Sequence, residues 1–169
     1  MFEQREGEKS LPFDPAAAAG QGHVVFIGHL ETPWTDRDTC PRNMTRAREA
    51  GKPARLIIEP SYRDGLAGLE TTSHLVILSW LNHSPRNLIV QHPRHAASAK
   101  GVFALRSPAR PNPIGLHVVR VTGFDAAMGV IDLEAIDVLD GTPVVDIKPY
   151  IPAIDAIPDA DTGRAGSSA

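Results

Sequence analysis

Apolar positions in this chain fall in short runs separated by polar, proline-punctuated stretches, and seven of the runs read as strands. Gly22 to Leu30 alternates and is rich in Val and Ile, the period-two pattern of a half-buried strand. Ala54 to Glu59 repeats that pattern and stops at Pro60. Thr72 to Trp80 (TSHLVILSW) is nearly continuously apolar and predicts a strand buried on both faces. Gly101 to Leu105 and Leu116 to Val121 flank a stiff loop, and Gly129 to Val138 follows. Asp140-Gly141 is a turn signal before a last strand, Thr142 to Ile147.

The connecting stretches are long. Glu31 to Met44 and Asn82 to Lys100 are polar and irregular, and Ser61 to Glu70 holds two glycines and at most a short helical turn. Loops of that length without periodicity often carry function. Residues 1–21 read as a tail or a loosely docked arm, and 153–169, rich in Pro, Asp, Ala and Gly, as a second tail. One domain over 22–152 is expected, mainly β with few short helices. Strands and helices do not alternate, which argues against a doubly wound parallel sheet and favours an antiparallel barrel or sandwich.

Charge sharpens this picture. From Thr71 to Phe124 there is no Asp or Glu, while six basic residues give +6, leaving −9 for the rest of a chain of net charge −3. One electropositive surface set against an acidic remainder suits an anionic ligand. A single cysteine, Cys40, allows no internal disulfide and fits a reducing compartment. No apolar run reaches the length of a membrane-spanning helix and the first residues lack a signal-peptide layout, so a cytoplasmic location is expected.

Three prolines, Pro108, Pro111 and Pro113, stiffen the loop from Ser107 to Pro113. It should present Arg106, Ser107, Arg110 and Asn112 in fixed directions, ready to bond a carboxylate, phosphate or base edge. No catalytic triad, phosphate-binding loop, zinc spacing or dinucleotide fingerprint is visible, and no metal is expected. His92 and His95 are separated by a proline that opposes a helix, and Asp146 beside Lys148 reads as an ion pair. Cys40, followed by Pro41, reads as a packing residue rather than a nucleophile. Four loops remain: Cys40 to Asn43, Asn82-His83, Arg106 to Asn112, and Asp137 to Thr142. Each adjoins a strand, and in a closed barrel such loops gather at a rim.

The stretch Gly101 to Leu116, GVFALRSPARPNPIGL, resembles the signature of the TsaA-like family, also called TrmO. The resemblance extends in order through Ile27-Gly28, Thr32-Pro33, Pro41-Arg42, Gly65-Leu66, Leu69-Glu70, Ser73-His74-Leu75 and Leu139 to Tyr150, so about Val24 to Pro152. It implies a single-sheet β-barrel that uses S-adenosylmethionine to methylate the N6 nitrogen of threonylcarbamoyl-adenosine beside the tRNA anticodon. It also implies a homodimer. Many bacterial members carry a further C-terminal domain that helps hold tRNA, whereas the resemblance here ends near Pro152. Carried over by position, cofactor-binding residues are Pro41, Arg42, Asn43, Asn82, His83, Arg106, Leu116, Glu134, Ala135, Ile136 and Asp137. Asp137, Asp140 and Tyr150 are the candidates for accepting the amine's proton. Arg86, Arg94, Lys100 and Arg110 are expected to meet tRNA phosphates, and Trp34 or Tyr62 to stack on a base. The competing readings are a non-catalytic barrel that binds S-adenosylmethionine or RNA, and a sensor of the cofactor.

Overall fold

The computed structural model describes residues 5–14, 17, 23–93 and 96–161. Six strands close into an antiparallel barrel: β2 (Gly28–Glu31), β3 (Ala54–Ile58), β4 (His74–Trp80), β7 (Ile114–Asp125), β8 (Val130–Leu133) and β9 (Thr142–Pro149). Around the barrel the order is β2, β3, β8, β7, β4, β9 and back to β2. A separate sheet joins β1 (Lys9–Ser10), β5 (Leu88–Gln91) and β6 (Lys100–Gly101). Lys9 lies opposite Val90, so part of the N-terminal segment is a docked arm.

The apolar run of β4 resolves into alternation. Leu75, Ile77 and Ser79 are buried inside the barrel, while His74, Val76, Leu78 and Trp80 are only partly covered on its outer face. Leu30, Leu56, Ile58, Val119, Ile131, Leu133 and Val144 complete the interior. Leu66 and Ile136, both fully buried, join the same cluster from segments outside the strands. Each such side chain contributes about 1.5–3 kcal/mol by leaving water.

Several expected strands are shorter than the sequence suggests. Val24, Val25 and Phe26 are exposed, and pairing starts at Gly28. Gly101 to Leu105 is not a strand: after Gly101 the chain coils into a 3-10 turn, Val102–Ala104, with Phe103 outward. The reason lies in Arg110, whose guanidinium takes the carbonyls of Val102 and Leu105 that a neighbouring strand would need. Gly129 to Val138 is a strand only to Leu133. Beyond it Ala135, Ile136 and Val138 stay buried, but Trp34 Nε1 and Thr32 Oγ1 bond the carbonyls of Ile136 and Val138. Side chains replace the missing ladder.

The helix α1 (Met44–Ala50) follows the long loop after β2. Asn43 accepts the amide of Arg46, and Gly51, at φ 62, ends the helix in the left-handed region. Only Ala47 is buried, so no apolar stripe announces this helix. It is held by Arg48, which donates to Glu134 and to the Val118 carbonyl, each at 2.8 Å. The short α2 (Pro152–Asp155) follows β9.

Candidate functional site

The strand register sorts the loops between two rims. Glu31, Ala54, Trp80, Ile114, Leu133 and Thr142 end or begin their strands at one rim. All four loops singled out in the sequence therefore open there. Tyr150 does not. It follows β9 and donates its backbone amide to His74, at the other end of β4. Seven residues of strand at ~3.3 Å each put roughly 20 Å between that end and Trp80. Tyr150 and Asp137 are thus not brought together, and Tyr62, on the 3-10 turn Pro60–Leu66 after β3, also lies at the far rim.

At the near rim, Arg42, Asn43, Asn82, His83 and Arg106 are exposed, Pro41 is half-buried, and Leu116 is 51% exposed. Arg106 donates to the Leu116 carbonyl at 3.3 Å, which aims its guanidinium along β7. Asn43 spends its side-chain oxygen on the helix cap. Ala135 and Ile136 are buried, so only their backbones are available to a ligand. Glu134 is committed to α1: burial raises its pKa, but bonds from Arg48 and the Arg120 amide, with the Arg48 charge, hold the carboxyl below its usual value.

The stiff loop is clamped by two guanidiniums from within, beyond what its prolines supply. Arg110 donates to the carbonyls of Ser107, Val102 and Leu105. Arg86 stacks 5.4 Å from the Trp80 ring centroid and donates to the Pro111 carbonyl at 2.7 Å. Both arginines were expected at phosphates; instead they hold the loop's own carbonyls. Lys100 is exposed on β6, and Arg94 lies outside the described residues. Trp34 is a core residue, 5% exposed, with Lys52 Nζ 4.9 Å from its ring, so it offers no stacking face. Asp140, exposed at the turn, accepts the Thr32 amide with its Oδ1.

Asp137 is different. Its Oδ1 lies 2.8 Å from His117 Nδ1, and His117 Nε2 lies 2.8 Å from Ser79 Oγ. Asp137 Oδ2 has no partner among the described residues. The one buried, unpaired side-chain polar atom among them is Gln91 Oε1, so Asp137 Oδ2 meets solvent at the rim. Burial and the nearby Asp137 charge push the Cys40 thiol up to about 11, with Arg37 partly opposing. Cys40 is therefore a neutral thiol at physiological pH, as its packing role requires. Ser79 and His117 were not anticipated, because 38 and 20 residues separate the partners in sequence. The available signal was a polar residue at an inward-facing strand position, Ser79 within LVILSW and His117 within GLHVV. Of two surface concavities, one, beside Leu11 to Asp14, is bordered by Arg86, the clamp of the near-rim loop, and the other, beside Pro60, Arg63 and Ala127, lies at the far rim.

Several known proteins are similar to this chain. An Archaeoglobus fulgidus protein described as a "probable S-adenosyl-L-methionine-binding protein" is 39% identical over 81% of this chain and 36% of its own length. The tRNA (adenine(37)-N6)-methyltransferase of Escherichia coli is 37% identical over 84% of this chain and 63% of its own. The crystal structure of TrmO from Pseudomonas aeruginosa superposes with a TM-score of 0.69 at 35% identity, covering 86% of this chain and 62% of that one. The chain thus spans between about one third and under two thirds of these proteins. With residues 29–156 matching the model of the tRNA-methyltransferase O N-terminal domain, the chain belongs to the TrmO family.

Proposed function

We propose that this protein is an S-adenosylmethionine-dependent methyltransferase that acts on the N6 nitrogen of an adenosine beside the tRNA anticodon, threonylcarbamoyl-adenosine being the substrate. The observation that carries the reading is Asp137 Oδ2, an open carboxylate oxygen on the same rim as Arg42, His83 and Arg106. Membership of the family and the activity named for the Escherichia coli relative support it.

The rim fits a zwitterionic cofactor. Exposed guanidiniums suit its carboxylate, and the backbone of 134–137 and the exposed Leu116 suit its polar and apolar portions. When bound, the cofactor supplies an already activated methyl group, so the protein's share is alignment and proton transfer. The amine's lone pair is delocalised, which makes it a poor nucleophile. Asp137 accepts its proton as the new bond forms. The clamped loop holds Arg106 still while this happens, and Lys100 adds salt-dependent attraction for phosphate.

A homodimer belongs to the same reading. Val76, Leu78 and Trp80 lie opposite Val118, Leu116 and Ile114 on the outer face of β4 and β7. Leu116 is 51% and Ile114 45% exposed, an apolar strip that a second copy would cover. The enzyme would work in the cytoplasm, with its tRNA; no helix among the described residues is long and apolar enough to cross a membrane. The test is transfer of labelled methyl from S-adenosylmethionine to tRNA with and without the threonylcarbamoyl group. Label only in the modified tRNA is expected. Cofactor binding without label in any tRNA would favour a binding barrel instead.

A further inference from the structure

Ser79, His117 and Asp137 come from β4, from β7 and from the segment after β8. The hydrogen bonds among them admit one economical protonation pattern. A carboxylate only accepts, so His117 Nδ1 carries the proton and donates to Asp137 Oδ1. Nε2 is then bare and accepts the Ser79 hydroxyl. Ser79 is fully buried and His117 only 5% exposed, so no substrate carbonyl can reach the hydroxyl. This arrangement is not a hydrolase's nucleophile. What it leaves open is Asp137 Oδ2.

The fold makes room for the pair. Gly115 lies directly opposite Ser79, and a Cβ there would collide with Ser79 Oγ and stand 2.5 Å from His117 Nε2. The signature glycine beside the stiff loop thus opens the space in which the imidazole and hydroxyl meet.

We infer that Ser79 and His117 are positioning residues: together they fix Asp137 so that Oδ2 faces the rim as the proton acceptor for the methylated amine. The inference rests on the methyltransferase reading above. In the step it serves, the nitrogen–carbon bond forms and the carbon–sulfur bond breaks, its electron pair staying on sulfur. The proton on nitrogen passes to Asp137 Oδ2. With Oδ1 held by imidazole, the carboxylate cannot rotate away, and misplacement of a reacting group by ~1 Å costs on the order of 100-fold in rate.

Two substitutions separate the imidazole's two contacts. In His117→Asn the amide nitrogen replaces Nδ1 and keeps the bond to Asp137; in His117→Gln it replaces Nε2 and keeps only the side toward Ser79. Single-turnover methyl transfer to threonylcarbamoyl-modified tRNA should fall ~10–100-fold in His117→Gln, with cofactor KM changed less than about twofold. His117→Asn should recover most of that loss. Asp137→Asn should lose ~100–10,000-fold, and adding His117→Gln to it should cost nothing more. Nitrogen-15 NMR of the parent, without any ligand, should show His117 protonated at Nδ1 and bare at Nε2. A folded His117→Gln protein with full kcat, an Asp137→Asn protein with full kcat, or the opposite tautomer in the parent overturns the role. A parent that binds cofactor yet methylates no tRNA overturns the functional reading itself, while the tautomer still reports whether the relay exists.

Discussion

Replacing Gly115 by alanine adds one methyl group at a crowded point of the barrel's rim. The built Cβ stands 2.5 Å from His117 Nε2 and closer still to Ser79 Oγ, where carbon normally rests about 3.5–4 Å from its neighbours. Both neighbours are buried and bonded to each other, so neither can swing into water. The methyl must therefore break the Ser79–His117 bond or push the strands apart. A buried donor and acceptor left unpaired cost about 1–3 kcal/mol, and overpacking costs a similar amount. Gly115→Ala should then lose roughly 2–5 kcal/mol, which at ~2–4 °C per kcal/mol for a chain of this size lowers Tm by about 4–20 °C. Gly123→Ala is the control, because its Cβ meets the side chain of exposed Asp132, which can move aside. Removing the hydroxyl first, in Ser79→Ala, should make the Gly115→Ala step cheaper, a coupling visible in a double-mutant cycle. Thermal and urea unfolding followed by circular dichroism give all four values. If Gly115→Ala lies within about 0.5 kcal/mol of the parent, the reasoning is refuted, since surface changes alone are that small.

Other expectations are as direct. Arg110→Ala removes three carbonyl contacts that hold the proline loop, and amide exchange over 102–113 should quicken while the barrel strands stay protected. Alkylation of Cys40 should be slow at pH 8 and accelerate toward pH about 11; Asp137→Asn, by removing a charge that raises the thiol's pKa, should speed it at every pH between. The folded pKa of Glu134 is depressed, so its link to Arg48 contributes stability above the unfolded value of 4.5 and loses it as pH falls through the lower folded value. Exchange protection of α1 should drop across that acid window in the parent but not in Glu134→Gln, whose α1 is loosened at neutral pH already. Neutralising Lys100 should flatten the salt dependence of tRNA affinity by roughly one unit of slope if it meets a phosphate; an unchanged slope would mark it as a solvated residue.

Strand patterning and turn residues reach an antiparallel barrel or sandwich; the family resemblance selects the barrel, and with it the gathering of four loops at one rim. The outcome at particular residues shows where such reading stops. Period-two alternation reports what a side chain faces, but the apolar run of β4 masks it: Thr72 to Trp80 predicts a strand buried on both faces, whereas Leu75, Ile77 and Ser79 alone are buried there. It could not show that Arg110 would take the carbonyls of Val102 and Leu105, or that Trp34 would take that of Ile136, because these bonds depend on long-range placement. The same blindness hid α1, whose anchor is a polar contact from Arg48 rather than an apolar face. At the candidate site, Arg42, Arg106 and Asp137 come from the family motif, and the strand order puts their segments at one rim. Tyr150 was carried along by that motif although strand length takes it to the far rim, and Ser79 and His117 were overlooked because only the closed barrel makes them neighbours.

The strand order also dictates when this protein can fold. β4 is flanked by β7 and β9, both of which follow it in the chain, and Val76 must wait first for Val118 and then for Lys148. β2 pairs with β9 as well, so the earliest barrel strand stays an open edge until the last one arrives. During synthesis no subset of strands emerging from the ribosome can seal the barrel. Closure waits for β9 and is dominated by sequence-distant pairing, which makes it slow. The apolar segment His74–Trp80 is then the stretch most in need of protection from self-association while the chain is incomplete.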